Sequence, residues 1–432
     1  MIVPSSRLIW LAALVALPAA TMAGAAPGWG AAGAALLGAC AAVAVVDGVL
    51  GLQRVARLGL RTPTITRLTK DVAGVFPVIL ENRSGLDLRM RVALVMPDGV
   101  VSERLVEEIA APPGDSRIDW PLIGVRRGDH ELREAHVEAA SPLGLWRARE
   151  SHTVASSLRV YPNLRDHATA SLFLRTAEAG LRRRRQVGKG REFDNLRHYL
   201  PGDSFEDIHW KATARRGFPA VKLYQVEHAQ EVYAVIDFSR LSAREGILDS
   251  YVDAALHLAL VAERQGDRFG LVTFSDRTDR FLRAGRGLAH FRLCRETIYN
   301  LGPSRVSPDF RECFTNLQVN LRRRALLVFF TYLDDALLAE TFEREVPLLA
   351  RRHLVLVNTG RTANLKPLFT GDSPADLNAA YQGLAGQMLW NRMRELKMAL
   401  HNHGVRLTLV DPERIKAQVT SEYLEVKRRQ VL

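Results

Sequence analysis

The sequence predicts a doubly wound α/β domain that follows an antiparallel β-sandwich and an N-terminal transmembrane helical hairpin. Three observations predict this order: a charge-free stretch near the N-terminus, short alternating apolar runs after it, and strands alternating with helices in the last part of the chain. With 432 residues, the chain is long enough for two or three folded units.

The membrane anchor is predicted over residues 1–61. No Asp, Glu, Lys or Arg occurs from Leu8 to Val46. Residues 8–26, and the segment 31–52 that begins in this stretch, are each long enough to cross a bilayer as a helix, and a Pro-Gly pair between them favours a turn. The alternative interpretation is that the first apolar run is a cleaved signal peptide.

Basic residues flank both ends of the predicted hairpin. Arg7 precedes the first span, and the second span is followed by Arg54, Arg57, Arg61, Arg67 and Lys70. Because positive flanks stay on the cytoplasmic side, we expect both termini in the cytoplasm and a multi-pass topology. The three cysteines fit a reducing compartment without a disulfide framework.

The net charge of +12 indicates an anionic partner. Juxtamembrane basic residues facing an anionic lipid surface account for part of it. A nucleic-acid-binding protein is the alternative, prompted also by the arginine run 182–185, but no recognition motif accompanies the charge, and no specific nucleic acid is expected.

Three segments follow the anchor. Residues 62–164 show period-two alternation broken by turn residues, which predicts the β-sandwich. Residues 165–230 form a basic linker. Residues 231–432 alternate continuous apolar strands with helices, as in a parallel sheet covered on both faces.

The end of the first α/β strand is the privileged position for a ligand. Asp237 and Ser239 stand there, in a pattern that a magnesium site would complete with a second serine. That position is Leu241, which cannot coordinate a cation. Asp237 is therefore interpreted either as a turn residue or as a recognition residue.

A long segment then carries a family resemblance. It resembles the signature of domain-of-unknown-function family fifty-eight, through Gly190, Glu192, Arg197, Tyr199, Gly202, Asp203, Asp207, Trp210, Lys211 and Arg215. We expect these residues to form a binding surface. The competing interpretation is structural: the aromatic residues pack, and the charged residues pair with one another.

The resemblance implies a bacterial inner-membrane protein with a von Willebrand A-like domain that works with a MoxR-type AAA+ ATPase. In such a domain the metal site would use Asp237, Ser239, Ser307 and Asp334, but Tyr332 stands where an aspartate is usual. The candidate site is thus degenerate, and neither magnesium nor another cofactor is expected.

The expected function is an adaptor or scaffold that acts by protein–protein interaction in the assembly or maturation of membrane or envelope client proteins. No nucleotide loop, nucleophile elbow or metalloprotease motif occurs in the sequence. No catalytic residue is predicted, and the chain is not expected to be an enzyme.

Overall fold

The computed structural model describes residues 1–25, 30–164, 187–188, 192–225, 229–244, 246–361, 365, 367 and 377–429. The predicted turn at Pro27 and Gly28 and the arginine run 182–185 lie outside these residues. The chain divides into two compact units, Met1–Asn163 and Leu164–Leu432.

The N-terminal unit begins with a short strand and two helices, which are β1 (Ile2–Pro4), α1 (Ser6–Ala25) and α2 (Gly30–Val55). Helix α2 is long and apolar enough to cross a membrane. The apolar part of α1 within the described residues, Ser6–Thr21, is shorter than such a span.

Two sheets enclose one hydrophobic core in the rest of this unit. The first has the order β1-β10-β9-β5-β7, with β3 beside β10, and the second has the order β2-β4-β8-β6. Every pairing is antiparallel except β3 with β10. Their strands are β2 (Leu58–Arg61), β3 (Ile65–Thr69), β4 (Ala73–Asn82), β5 (Leu88–Leu94), β6 (Val100–Val101), β7 (Val106–Ala111), β8 (Gly114–Gly124), β9 (Gly128–Ala140) and β10 (Trp146–Tyr161). The predicted antiparallel sheets before the α/β region are confirmed.

The predicted signature segment folds as a small sheet and a short helix. Strands β11 (Val187–Gly188) and β12 (Glu192–His198) flank β13 (Ala220–Gln225), and the helix α3 (Trp210–Arg216) connects β12 to β13. Helix α3 ends at Gly217, whose φ of 74° favours glycine.

The C-terminal unit is built on an open six-stranded sheet of order β16-β15-β14-β17-β18-β19. All neighbours are parallel except β16, an antiparallel edge strand. The strands are β14 (Glu231–Asp237), β15 (Arg268–Phe274), β16 (Thr278–Gly285), β17 (Ala325–Phe330), β18 (Leu354–Gly360) and β19 (Arg406–Val410). The predicted parallel strands are present, whereas β16 was not predicted because its alternating, partly exposed residues lack the continuous apolar run used to identify the others.

Helices cover both faces of this sheet, each over its own core. One face is covered by α4 (Ile247–Arg264), α5 (Gly287–Ile298) and α10 (Ile415–Arg429). The other is covered by α6 (Phe310–Asn320), α7 (Ala336–Glu345), α8 (Pro347–Ala350) and α9 (Leu377–Asn402). The unit is therefore doubly wound. The chain leaves β14 toward β15 on one side and later adds β17 on the other, so the switch point lies between β14 and β17.

Candidate functional site

The carboxyl ends of β14 and β17 meet at the switch point and bring Asp237 next to Thr331. Asp237 is fully buried. Its Oδ1 accepts a hydrogen bond from the backbone N–H of Ser239 at 2.8 Å, and its Oδ2 accepts one from Thr331 Oγ1 at 2.7 Å. Both carboxylate oxygens therefore have partners inside the protein.

The protonation of Asp237 follows from this environment. Burial is the largest influence and raises the pKa of Asp237 above its ordinary value, against the opposing effect of the hydrogen bonds from Ser239 and Thr331.

The turn after Asp237 is held by its own serines. Ser239 Oγ accepts the backbone N–H of Leu241 at 3.3 Å, and Ser242 Oγ donates to the carbonyl oxygen of Asp237 at 2.6 Å. Leu241 itself is buried in one of the two cores. The position that a second coordinating serine would take thus contributes to apolar packing.

Two arginines hold the remaining candidate ligands. Arg240 Nε donates to Ser307 Oγ at 2.8 Å, and its Nη2 lies 3.2 Å from Asp335 Oδ2. Arg244 Nη2 lies 2.5 Å from Asp334 Oδ2. Its guanidinium also stacks over the ring of Tyr332, 4.5 Å from the centroid. Both arginine side chains are about half exposed.

Each candidate magnesium ligand has a hydrogen-bond or ion-pair partner within the protein. Asp237 is bonded to Ser239 and Thr331, and Ser239 to Leu241 within the turn. Ser307 and Asp334 are bonded to guanidinium groups. Within the described part of the chain, no group of three or more His, Cys, Asp or Glu side chains is placed to hold a metal ion. The structure brings the four candidate residues to one edge of the sheet but gives each another partner.

The charged pair of the signature segment is formed as the structural interpretation expected. Arg197 and Asp203 share two hydrogen bonds, of 2.8 and 2.6 Å. Asp203 Oδ2 also accepts the backbone N–H of Leu200 at 2.9 Å, in a turn where Gly202 has a φ of 107°. The hydrogen bond from Arg197, followed by that from Leu200, lowers the pKa of Asp203, so the turn is held by an ionised carboxylate.

The competing interpretation that Trp210 packs is wrong. Its residue surface is 67% exposed, and that of Phe205 is 72% exposed. Trp210 is the first residue of α3, directly after the N-cap residue His209. Lys211 and Arg215 are exposed on the same short helix.

The remaining signature residues are Tyr199, Asp207, Glu192 and Gly190. Tyr199 stacks on Phe205 with ring centroids 5.8 Å apart. Asp207 is half-buried at the end of a single 3-10 turn. Glu192 lies in β12 by its backbone, and Gly190 lies outside the described residues.

The sequence analysis did not identify three residues that have a structural role. Arg240 and Arg244 were not considered, although their spacing after Asp237 and the acidic pair Asp334-Asp335 offered a signal of opposite charges on adjoining loops. Asp47, which directly follows the charge-free stretch, was not considered either, and it is buried.

Comparisons with known proteins identify one family. Residues 195–366 match the model described as "Protein of unknown function DUF58". No curated protein matches the sequence. Among solved structures, a PapD-like domain of human CEP192 matches at 11% identity with a TM-score of 0.19, covering 25% of this chain and 87% of that one. Proximal thread matrix protein 1 of the mussel byssus matches at 12% identity with a TM-score of 0.28, covering 46% of each chain. At these scores neither likeness assigns a fold.

Proposed function

Because residues 195–366 belong to the DUF58 family, we propose that the protein is a membrane-anchored adaptor whose C-terminal unit is a von Willebrand A-like domain without a working metal site. The strand order and the position of Asp237 at the switch point support the von Willebrand A-like assignment. Both carboxylate oxygens of Asp237 accept hydrogen bonds from the protein, which supports a scaffold that binds its partner without a cation.

The observation that carries the adaptor proposal is the exposed signature segment. Leu200, Phe205 and Trp210 expose more than half of their surface within a short stretch, beside the cations Lys211 and Arg215. Large exposed aromatic side chains next to basic residues are typical of interfaces, where tryptophan and arginine carry much of the binding energy. Arg197 and Asp203 hold the turn that presents them.

The partner proposed for this surface is a MoxR-type AAA+ ATPase, with membrane or envelope proteins as clients. The ATPase comes from the family resemblance. The surface chemistry favours a partner with an apolar groove rimmed by acidic residues, because Trp210 would fill the groove and Lys211 and Arg215 would meet the rim.

The membrane placement completes the proposal. Helix α2 supplies the apolar span, and the basic residues that follow it support a cytoplasmic location for the sandwich and the α/β unit. With α1 as the second leg of a hairpin, the protein is multi-pass in the bacterial inner membrane.

Capture from native membranes tests the adaptor function. The full chain, tagged and extracted in detergent, is expected to enrich the MoxR-type ATPase, and Trp210→Ala or the double change Lys211→Glu/Arg215→Glu is expected to reduce that enrichment at least several-fold. The matched control is Tyr381→Ala, an exposed aromatic of the same unit outside the signature segment. Equal capture by all variants, or no enrichment by the natural chain, would contradict the proposal.

A further inference from the structure

Helix α2 carries an acidic residue that the sandwich hides completely. Asp47 is only 2% exposed. Its carboxylate accepts hydrogen bonds from Ser141 Oγ at 2.5 Å and from the backbone N–H groups of Leu143 and Leu145 at 2.8 and 3.2 Å. The turn 141–146 therefore closes around this carboxylate, and its charge never faces the surroundings of the helix.

The same turn also contacts the helix on either side of Asp47. Trp146 Nε1 donates to the carbonyl oxygen of Ala44 at 2.7 Å. A Cβ on Gly51 would lie 3.0 Å from the Cβ of Ser141, so the glycine lets the turn approach the helix closely. The face of α2 that meets the sandwich consists of Ala44, Asp47, Gly48, Gly51 and Val55, a stripe at helical spacing.

The opposite face of α2 stays apolar and exposed along this contact. It consists of Val45, Val46, Val49, Leu50 and Leu52, and it ends at the exposed Gln53. The apolar face thus continues from the part of α2 before the sandwich contact to Leu52, and no exposed charge interrupts it. At its side, Leu143 forms the tip of the turn and is 56% exposed.

Helix length decides where the bilayer ends on α2. From Gly30 to Val43, where the sandwich contact begins, the helix rises only about 20 Å at 1.5 Å per residue. From Gly30 to Leu52 it rises about 33 Å, which matches a hydrocarbon core of about 30 Å. The span is long enough only if it includes the part of the helix that the sandwich holds.

We propose that the sandwich sits in the membrane interface, with the outward face of α2 through Leu52 and the tip of the turn at Leu143 in contact with lipid. The occupant of this face is the bilayer itself, because the face continues the apolar span. Arg7 lies beside Gly144 of the same turn, where its long side chain reaches the headgroups from the start of α1. The inference rests on the proposed membrane anchor and adds that the turn 141–146 lies at the depth of the lipid.

Depth-dependent quenching of single fluorescent labels tests the inference. The full chain with Cys40→Ala is labelled at Leu52→Cys or Leu143→Cys and reconstituted in phosphatidylcholine vesicles that contain a lipid with a nitroxide just below the headgroup. Cys294 and Cys313 are fully buried and do not compete for the label. We expect several-fold stronger quenching at both positions than at the control Leu105→Cys, an exposed leucine elsewhere in the sandwich.

A label at Leu37→Cys, in the free part of the span, separates the two ways to fail. If Leu37→Cys is quenched while Leu52→Cys and Leu143→Cys behave like Leu105→Cys, the anchor holds and the membrane-seated sandwich is refuted. If Leu37→Cys is not quenched either, α2 is not in the bilayer, and the inference falls together with the proposed anchor.

Discussion

Thr331 donates a hydrogen bond to Asp237 over 2.7 Å and so joins the ends of β17 and β14 at the switch point of the sheet. Asp237 is the last residue of β14 and Thr331 directly follows β17, and both strands are buried on both faces. The link uses the carboxylate oxygen that the backbone of Ser239 leaves available. In other open α/β sheets, residues at this carboxyl edge bind ligands. Here the side chains at the edge bind one another.

The buried carboxyl of Asp237 predicts a pH-dependent stability. Because burial raises its pKa in the folded chain, the protonated form is favoured there. The stability that the protonated Asp237 contributes to the folded chain is complete below the pKa of an unfolded aspartate, about 3.9. That stability is lost as the pH rises through the pKa of Asp237 in the folded chain. Asp237→Asn, which stays neutral, is therefore expected to gain stability relative to the natural chain as the pH rises.

Thermal unfolding of the full chain in detergent, over about pH 4 to 8, measures this difference across the range in which a carboxyl with a raised pKa titrates. The control is Asp276→Asn, a surface aspartate of the loop after β15. A melting-temperature difference between Asp237→Asn and the natural chain that stays constant with pH would contradict the prediction.

Magnesium is expected to leave the melting temperature unchanged within about 1 °C, because only a ligand that binds the folded state stabilises it. The reason is structural, since Asp237 is bonded to Ser239 and Thr331, while Ser307 and Asp334 are bonded to arginines. The measurement compares the natural chain with Asp237→Asn at increasing magnesium. A stabilisation of the natural chain that disappears in Asp237→Asn would show that the cation displaces these bonds.

Two tryptophans in different surroundings test the placement of the signature segment. Trp120 is 1% exposed and donates its Nε1–H to Ser102 Oγ at 3.0 Å, so Trp120→Ala is expected to cost about 3–5 kcal/mol. Trp210 is exposed, so Trp210→Ala is expected to cost less than about 1 kcal/mol. Urea unfolding of the detergent-solubilised chain measures both. A cost for Trp210→Ala close to that for Trp120→Ala would mean that the ring is packed and that the proposed binding surface is structural.

The α/β sheet could be predicted because its central strands are buried on both faces and appear as continuous apolar runs. Ala325–Phe330, all six residues buried, is the clearest case. The edge strand β16 has no such run and was missed. The sequence left two interpretations of Trp210 open for a related reason, since it records the hydrophobicity of the ring but not that the ring is exposed.

The candidate site was predictable only in its position. Asp237 could be placed at the carboxyl edge because it follows the first α/β strand. The pairs Arg240–Asp335 and Arg244–Asp334 could not be derived, because they join loops about 90 residues apart whose meeting depends on the strand order. The partner of Asp47 in the turn 141–146 is distant in sequence in the same way.

The buried carboxylate on α2 gives the last prediction, which concerns how the helix is held by the sandwich. Asp47→Ala would leave the hydroxyl of Ser141 and the amides of Leu143 and Leu145 without their acceptor. Because an unsatisfied buried group costs about 1–3 kcal/mol, we expect a loss of about 2–4 kcal/mol in the stability of the N-terminal unit. Asp47→Asn keeps one acceptor oxygen and is expected to fall between Asp47→Ala and the natural chain.

The matched control for Asp47→Ala is Asp115→Ala, because Asp115 pairs with Arg61 where both side chains are about 60% exposed. Such a surface pair contributes about 0–1 kcal/mol. Hydrogen exchange in detergent gives the local readout: the amides of Leu143 and Leu145 should exchange faster in Asp47→Ala and unchanged in Asp115→Ala. If the two variants lose equal stability and these amides keep their protection, the turn is held by packing on Gly48 and Gly51, and the carboxylate is not what fixes the helix to the sandwich.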